Sequence, residues 1–359
     1  MQNILSTLYE SNLSKYTILQ RKVIIENNYT ILRGAPKTGK TYLIYDYLLQ
    51  YNKEEYLYID MADIRIDFKE LFLYLNNFLL KHKITVLAID NFNFDFDLNS
   101  LSGLSSIIVS TTNSQVKLDK FNTQQLMALD FEEFILFDNK HQNTINSFNS
   151  FFKYGNLAEL IQYNDTNKLI RNQEIIQLIT QDPKEFNIFK LLLQNIGESK
   201  SIFQLYGILK KSSKISKDFF YNSCKKFEDN LLINFIPKFE QPKAPKKIYS
   251  YNHAFIDAVN LHTNINNRFS NLVFCELNKD YQYIYYLDNV DFYIKETNSI
   301  YISKSFISNY VNLSTKLIPI IEEFNIQNIT IITVNTSNTI YINDIECEVI
   351  PFYEWALSL

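Results

Sequence analysis

Gly34–Thr41 reads GAPKTGKT, which fits G-x-x-x-x-G-K-[ST] at every fixed position. Each residue type has a reason to be there. Gly34 and Gly39 let the backbone turn tightly around phosphate oxygens. Ala35, Pro36, Lys37 and Thr38 complete the loop. Its N–H groups, with the N-terminus of the helix that follows, present positive partial charge to an anion. Lys40 is placed to reach β- and γ-phosphates, and the Thr41 hydroxyl to ligate Mg²⁺. The implied ligands are ATP and Mg²⁺.

A second element follows at Thr85–Asp90 (TVLAID), an apolar run ending in a carboxylate. Asp90 at the C-terminal end of a buried strand is where a Mg²⁺–water ligand belongs, which makes Thr41 and Asp90 the expected metal pair. The next residue is Asn91, where a hydrolase of this type carries Glu to orient the attacking water. An amide is no base, so hydrolysis should be slow or absent, and Asn91→Glu should raise it. Among the polar residues Ser110–Asn113, Thr112 is the expected contact to the γ-phosphate or the water. The chain has five arginines, and none lies in the segment after Thr112 where a charge-stabilising finger is expected. Lys117 and Lys120 are weak stand-ins, because lysine lacks the planar fork. Glu132, Glu133 and Asp95 are the carboxylates that could replace the missing base.

These residues need a sheet to hold them. Tyr29–Arg33, Tyr56–Asp60, Thr85–Asp90 and Ser105–Thr111 read as strands, with Thr41–Gln50 and Phe68–Leu80 as helices between them. The apolar runs are continuous rather than alternating, as in parallel strands covered on both faces. The alternation predicts an α/β fold with a doubly wound parallel sheet, the P-loop NTPase arrangement. Helices are expected from Phe131 to about Asp182, at Phe186–Asn195, Ser201–Lys210 and Lys217–Leu231, then a short strand at Leu232–Phe235. Three helices with a β-hairpin of this size suggest a winged helix. Pro237–Lys247 holds three of the seven prolines and reads as a linker or extended crossing segment. Beyond it a smaller α/β region is expected, with a helix near Asn266–Leu277 and strands at Tyr283–Tyr286, Val290–Ile294, Ser299–Ser303, Ile329–Val334 and Thr339–Ile342. The expected domains are 1–130, 131–185, 186–240 and 241–359.

Composition narrows the classes. With 359 residues, 46% of them apolar, the chain can bury more than one core. The net charge of −4 argues against an overall basic nucleic-acid coat. Cys224, Cys275 and Cys347 are far apart and form neither a zinc motif nor a disulfide framework. No apolar stretch is long enough to span a bilayer, and the N-terminus lacks signal-peptide character. A cytoplasmic protein with no membrane partner is expected.

With these motifs in order, the chain resembles the bacterial and archaeal AAA-type ATPases that carry a C-terminal restriction-nuclease-like domain. The resemblance rests on GAPKTGKT, on AIDN, on LMALDFEEF at Leu126–Phe134, on KYGNLAEL at Lys153–Leu160 and on PKKIYSYN at Pro245–Asn252. It implies a helical lid, a winged helix and a PD-(D/E)xK-like domain. That nuclease site needs a helical Glu, a strand Asp and Glu-x-Lys. Here Ser270 stands at the helical position, Asp291 is kept, Ile302 replaces the second Glu and Lys304 remains. One carboxylate holds a catalytic metal poorly, so nuclease activity is not expected, and Asp291 with Lys304 should form a structural pair. Glu276, six residues after Ser270, falls on a different helix face.

Lys210, Lys211, Lys214, Lys217, Lys225 and Lys226 cluster around the winged-helix candidate. They could contact DNA phosphates or form a solvated face of a packing module. Three functions stay open: an ATP-dependent switch with weak hydrolysis, an ATP-controlled nucleic-acid binder, and a non-enzymatic scaffold. A protein partner or a homo-oligomer is compatible with each.

Overall fold

The computed structural model describes residues 1–93, 96–140, 143–262, 264–307 and 309–359. It divides into two compact units, Met1–Met127 and Ala128–Leu359.

The first unit runs α1 (Gln2–Glu10), β1 (Tyr29–Arg33), α2 (Lys40–Leu48), β2 (Tyr56–Asp60), α3 (Phe68–His82), β3 (Val86–Asp90), β4 (Ser106–Thr111) and β5 (Asn122–Gln125). The sheet order is β2-β3-β4-β1-β5, and every neighbouring pair is parallel. The sheet is buried on both faces because each strand sends alternate residues to opposite sides. Leu57, Ile59, Leu87, Ile89, Ile107 and Val109 pack with Leu5, Leu71, Leu75 and Phe78 of α1 and α3. Tyr56, Tyr58, Val86, Ala88 and Ile108 pack with Leu43, Ile44 and Leu48 of α2. The even-numbered residues of β2, β3 and β4 therefore face α2. Asp60, Asp90 and Ser110 continue that face at the strands' C-terminal ends.

The second unit starts with α4 (Phe131–Phe137), α5 (Thr144–Tyr154), α6 (Ala158–Ile161) and α7 (Asp165–Ile179). Next come α8 (Pro183–Gln194), β6 (Ser199–Lys200), α9 (Ile202–Lys210), α10 (Lys217–Asp229), β7 (Ile233–Ile236) and β8 (Lys246–Ser250). The order β6-β8-β7 makes a small antiparallel sheet beside the three helices. Pro237–Lys247 is therefore not a linker out of this sheet. It bridges β7 to β8, whose first residues, Lys246 and Lys247, already pair with β6.

The chain continues as α11 (Phe255–Val259), α12 (Ile265–Asp280), β9 (Tyr285–Leu287), β10 (Val290–Ile294), β11 (Ser299–Ser303), α13 (Tyr310–Phe324), β12 (Asn328–Thr333), β13 (Asn338–Ile342), β14 (Ile345–Pro351) and α14 (Phe352–Trp355). The six-stranded sheet has the order β13-β14-β12-β11-β10-β9 and is parallel only in its centre. Ile300, Ile302, Ile329, Ile331 and Val349 form its core with Leu317, Ile320 and Ile321 of α13. Among the described residues no helix is long and apolar enough to cross a membrane.

Candidate functional site

The loop Gly34–Thr41 joins β1 to α2, the strand–loop–helix context that its spacing requires. A Cβ on Gly34 would lie 2.3 Å from the Leu126 carbonyl oxygen, so only glycine fits there. Gly39 caps α2 at φ +96°, in the left-handed region where glycine carries no steric penalty. Thr38 is buried and its hydroxyl donates to the Ala35 carbonyl at 2.9 Å. Lys40 is buried, and its Nζ donates to the Gly34 and Ala35 carbonyls at 2.9 and 2.8 Å. Burial pushes its ammonium down to about 8, against the opposing pull of Asp90.

A further contact holds the loop from behind. Arg21 is buried, donating from one guanidinium nitrogen to the Thr38 carbonyl at 2.8 Å and from the other to the Met127 carbonyl at 3.1 Å. It lies in irregular chain before β1, where spacing gives no reason to single it out. Its only sequence signal is that arginine is scarce.

Asp90 is the hub of the site. It is 1% exposed at the end of β3. Thr41 Oγ1 lies 2.5 Å from Asp90 Oδ2, and the Tyr58 hydroxyl donates to the same oxygen at 3.0 Å. The Ser110 hydroxyl donates to Oδ1, as does the Asn91 amide at 3.0 Å. Burial, followed by the Asp90 charge, drives the Tyr58 phenol far above its ordinary range, so it stays protonated and donates. These four donors are neutral groups. The pair offers a hydroxyl and a carboxylate oxygen, the donor type that Mg²⁺ takes. Thr41 and Asp90, 49 residues apart, thus fit the cation expected for them.

Asn91 stands at φ +56°, a conformation asparagine tolerates better than most residues. Its Nδ2 donates to Asp60 Oδ1 at 2.8 Å, on the neighbouring strand. Sequence reasoning passed over Asp60. Its signal was available, since YLYID ends in a carboxylate as TVLAID does. Thr112 lies one residue beyond β4, and the hydroxyl that reaches Asp90 is that of Ser110. The Thr111 hydroxyl donates to Asn93 at 2.9 Å.

Of the alternative carboxylates, Glu133 is buried in the second unit as part of a capping box at the start of α4. Glu132 is exposed on the same turn. Asp95 lies outside the described residues.

In the six-stranded sheet, Asp291 does not take Lys304 as its ion-pair partner. Lys247 Nζ of β8 lies 2.9 Å from Asp291 Oδ1, and the Ser303 amide and hydroxyl both donate to Oδ2 at 3.0 Å. Lys304 acts only as a further positive charge nearby. Burial alone would raise the Asp291 carboxyl, but Lys247, Lys304 and the hydrogen bonds outweigh it and hold it below its ordinary value. Ser270 bonds the buried Tyr249 hydroxyl at 3.1 Å, and Ile302 is fully buried. Glu276 Oε1 accepts from the Phe131 amide at 3.0 Å. Ser270, Asp291, Ile302 and Glu276 are therefore each tied to neighbouring protein groups or buried.

The six clustered lysines are all exposed on α9, α10 and the turn between them. Lys226 is paired with Glu185 at 2.8 Å, and Lys217 lies over the rings of Phe203 and Tyr221.

No protein-family model matches the chain. An uncharacterized protein of Methanocaldococcus jannaschii is 24% identical over 93% of this chain and 89% of its own length. Among solved structures, a Walker-type ATPase of Pyrococcus abyssi aligns with 12% identity over 65% of this chain and 91% of its own, at a TM-score of 0.46. AMPPCP-bound DnaA from Aquifex aeolicus aligns with 14% identity over 64% of this chain and 85% of its own, at a TM-score of 0.27. Scores this low carry no functional argument.

Proposed function

We propose that this chain binds ATP with Mg²⁺ at Gly34–Thr41 and hydrolyses it slowly, using occupancy rather than fast turnover as its signal. The observation that supports this most is the Thr41–Asp90 contact at the end of a parallel sheet, beside Lys40. Ligands bind outside the carboxyl ends of strands in such sheets. In this reading the loop amides and Lys40 hold the phosphates, with Lys40 exchanging its two carbonyl partners for phosphate oxygens. Thr41 and Asp90 hold Mg²⁺, which neutralises phosphate charge when bound. Arg21 keeps the loop in its receptive shape, and Thr112, the residue after β4, is the proposed contact to the terminal phosphate. Asn91 leaves the usual base position without a carboxylate. Ordering of the α4–α7 region as a lid and of α8–β8 as a winged helix would turn occupancy into a conformational signal. Equilibrium binding of a fluorescent ATP analogue tests the site: Lys40→Ala should weaken it at least tenfold, and unchanged affinity would show that the site is misassigned.

A second reading rests on the exposed lysines of α9 and α10, which suit DNA phosphates. In this reading ATP controls grip on duplex DNA. Binding should fall steeply with salt and weaken when Lys214 and Lys217 become Glu. Failure to bind duplex at low salt removes it.

A further inference from the structure

The Asn91 position looks empty of catalytic chemistry until its hydrogen bond is followed. We infer that Asp60, one strand away, supplies the carboxylate that orients the attacking water, and that Asn91 is the residue that positions it. The inference rests on the ATP-site reading above.

Three observations place Asp60. β2 and β3 are paired in parallel register with Asp60 opposite Asp90, so both carboxylates end their strands at the same level. Both belong to the even-numbered set whose earlier members, Tyr58 and Ala88, pack against α2, the helix that begins with Lys40 and Thr41. Finally, the Asp60 carboxylate is held on one side only. Its Oδ1 accepts from Asn91 Nδ2 at 2.8 Å and from the Ala62 amide at 2.9 Å. Both bonds fall on the same oxygen, which leaves Oδ2 for a water.

The left-handed backbone of Asn91 is what sends its amide back to β2. A glutamate there would meet two penalties. The left-handed conformation is sterically unfavourable for an ordinary residue, and its carboxylate would stand against that of Asp60. Asparagine at 91 and aspartate at 60 are thus complementary: one donates, the other accepts. In the reaction, the water oxygen forms a bond to the γ-phosphorus as the bond to the β–γ bridging oxygen breaks. That electron pair leaves with ADP. The water proton passes to Asp60 Oδ2 and then to the released phosphate or solvent. Aspartate is one methylene shorter than the usual glutamate and shares its other oxygen with two donors, so turnover is slow.

The test compares binding with turnover. Asp60→Asn keeps the Oδ1 acceptor and changes only the oxygen left for water. It should lower kcat about 100-fold, the low end of general-base contributions. Its Kd for the ATP analogue and its thermal unfolding should stay within a few-fold and a few degrees of wild type. Asn91→Ala should lower kcat about tenfold, again with Kd unchanged. In Asp60→Asn/Asn91→Glu, where the carboxylate moves to the other partner, turnover should recover relative to Asp60→Asn. Unchanged kcat in Asp60→Asn overturns the proposal, as does a loss that tracks Kd. If Asp60→Asn fails to fold, Asn91→Ala decides by the same split of kcat from Kd. Wild-type protein that binds ATP but shows no single-turnover hydrolysis also overturns it, leaving the binding site intact. Unchanged ATP affinity in Lys40→Ala defeats instead the reading on which it rests.

Discussion

Asp90, buried, and Asp291, half-buried, are carboxylates on strands of two different sheets, and they are satisfied in opposite ways. Asp90 accepts from three hydroxyls and one amide, all neutral. Asp291 accepts from a lysine ammonium and from a serine. Hydroxyls satisfy hydrogen bonding without cancelling charge, so Asp90 retains a reason to attract a cation. An ammonium cancels the charge in place and leaves a metal nothing to gain. The difference between the two carboxylates is one lysine, Lys247, brought up by β8.

The largest test of this contrast removes that lysine. Lys247→Met should leave the Asp291 charge without its ammonium partner and cost about 2 kcal/mol of stability, the scale of a hydrogen bond to a charged group. Adding Asp291→Asn should recover part of the loss, because an amide oxygen can still accept from Ser303. Urea unfolding reads both, and a neutral Lys247→Met would mean that the pair contributes nothing.

Acid should separate the units less sharply but in a predictable direction. His253 is fully buried, with Nε2 2.8 Å from the Phe151 carbonyl, and burial lowers its pKa from 6.5 to about 3. A group with a depressed folded value favours folding above its unfolded value and loses that contribution as pH falls toward the folded one. Asp291, also depressed, acts in the same sense at lower pH. The second unit should therefore lose stability progressively from about pH 6.5 downward. His253→Gln should flatten the upper part of that decline in denaturation profiles. An unaltered profile would mean that His253 is not the group responsible.

The smallest stability effect is expected at Asp90 itself. Asp90→Asn removes a charge held by neutral hydrogen-bond donors, and the hydroxyls around it can rotate to suit an amide. Unfolding free energy should change by less than about 1 kcal/mol, while Mg²⁺-dependent ATP affinity falls at least tenfold. A large loss of stability would mean that Asp90 is structural, like Asp291.

Much of the first unit was legible because its strands are short, apolar and bounded by turns. Tyr29–Arg33 and Tyr56–Asp60 occupy the ranges their composition suggests. β5, by contrast, is the polar stretch NTQQ at a sheet edge, where neither alternation nor a continuous apolar run marks a strand. The proline-rich Pro237–Lys247 carried a clear breaker signal, yet whether it left the sheet or returned to it depended on β8 finding both β6 and β7. Lys304 was the lysine expected to pair with Asp291, and Lys247, 44 residues away, proved to be its partner.

The loop Gly34–Thr41 is different in kind from the residues around it. Gly34, Gly39, Lys40 and Thr41 act through local backbone geometry, so their order along eight residues already carried their arrangement. The end of β3 was equally legible as the place for Asp90. Asp60, Asn91 and Ser110 meet only because parallel strands stack their C-terminal ends side by side. Asn91 reaches Asp60 across 31 residues of chain, and Ser110 reaches Asp90 across 20. Strand order and register, set by burial of two apolar faces at once, decide which carboxylate stands beside which amide. No spacing in the sequence encodes that directly, because the connecting helices and loops differ in length while the sheet aligns only their ends.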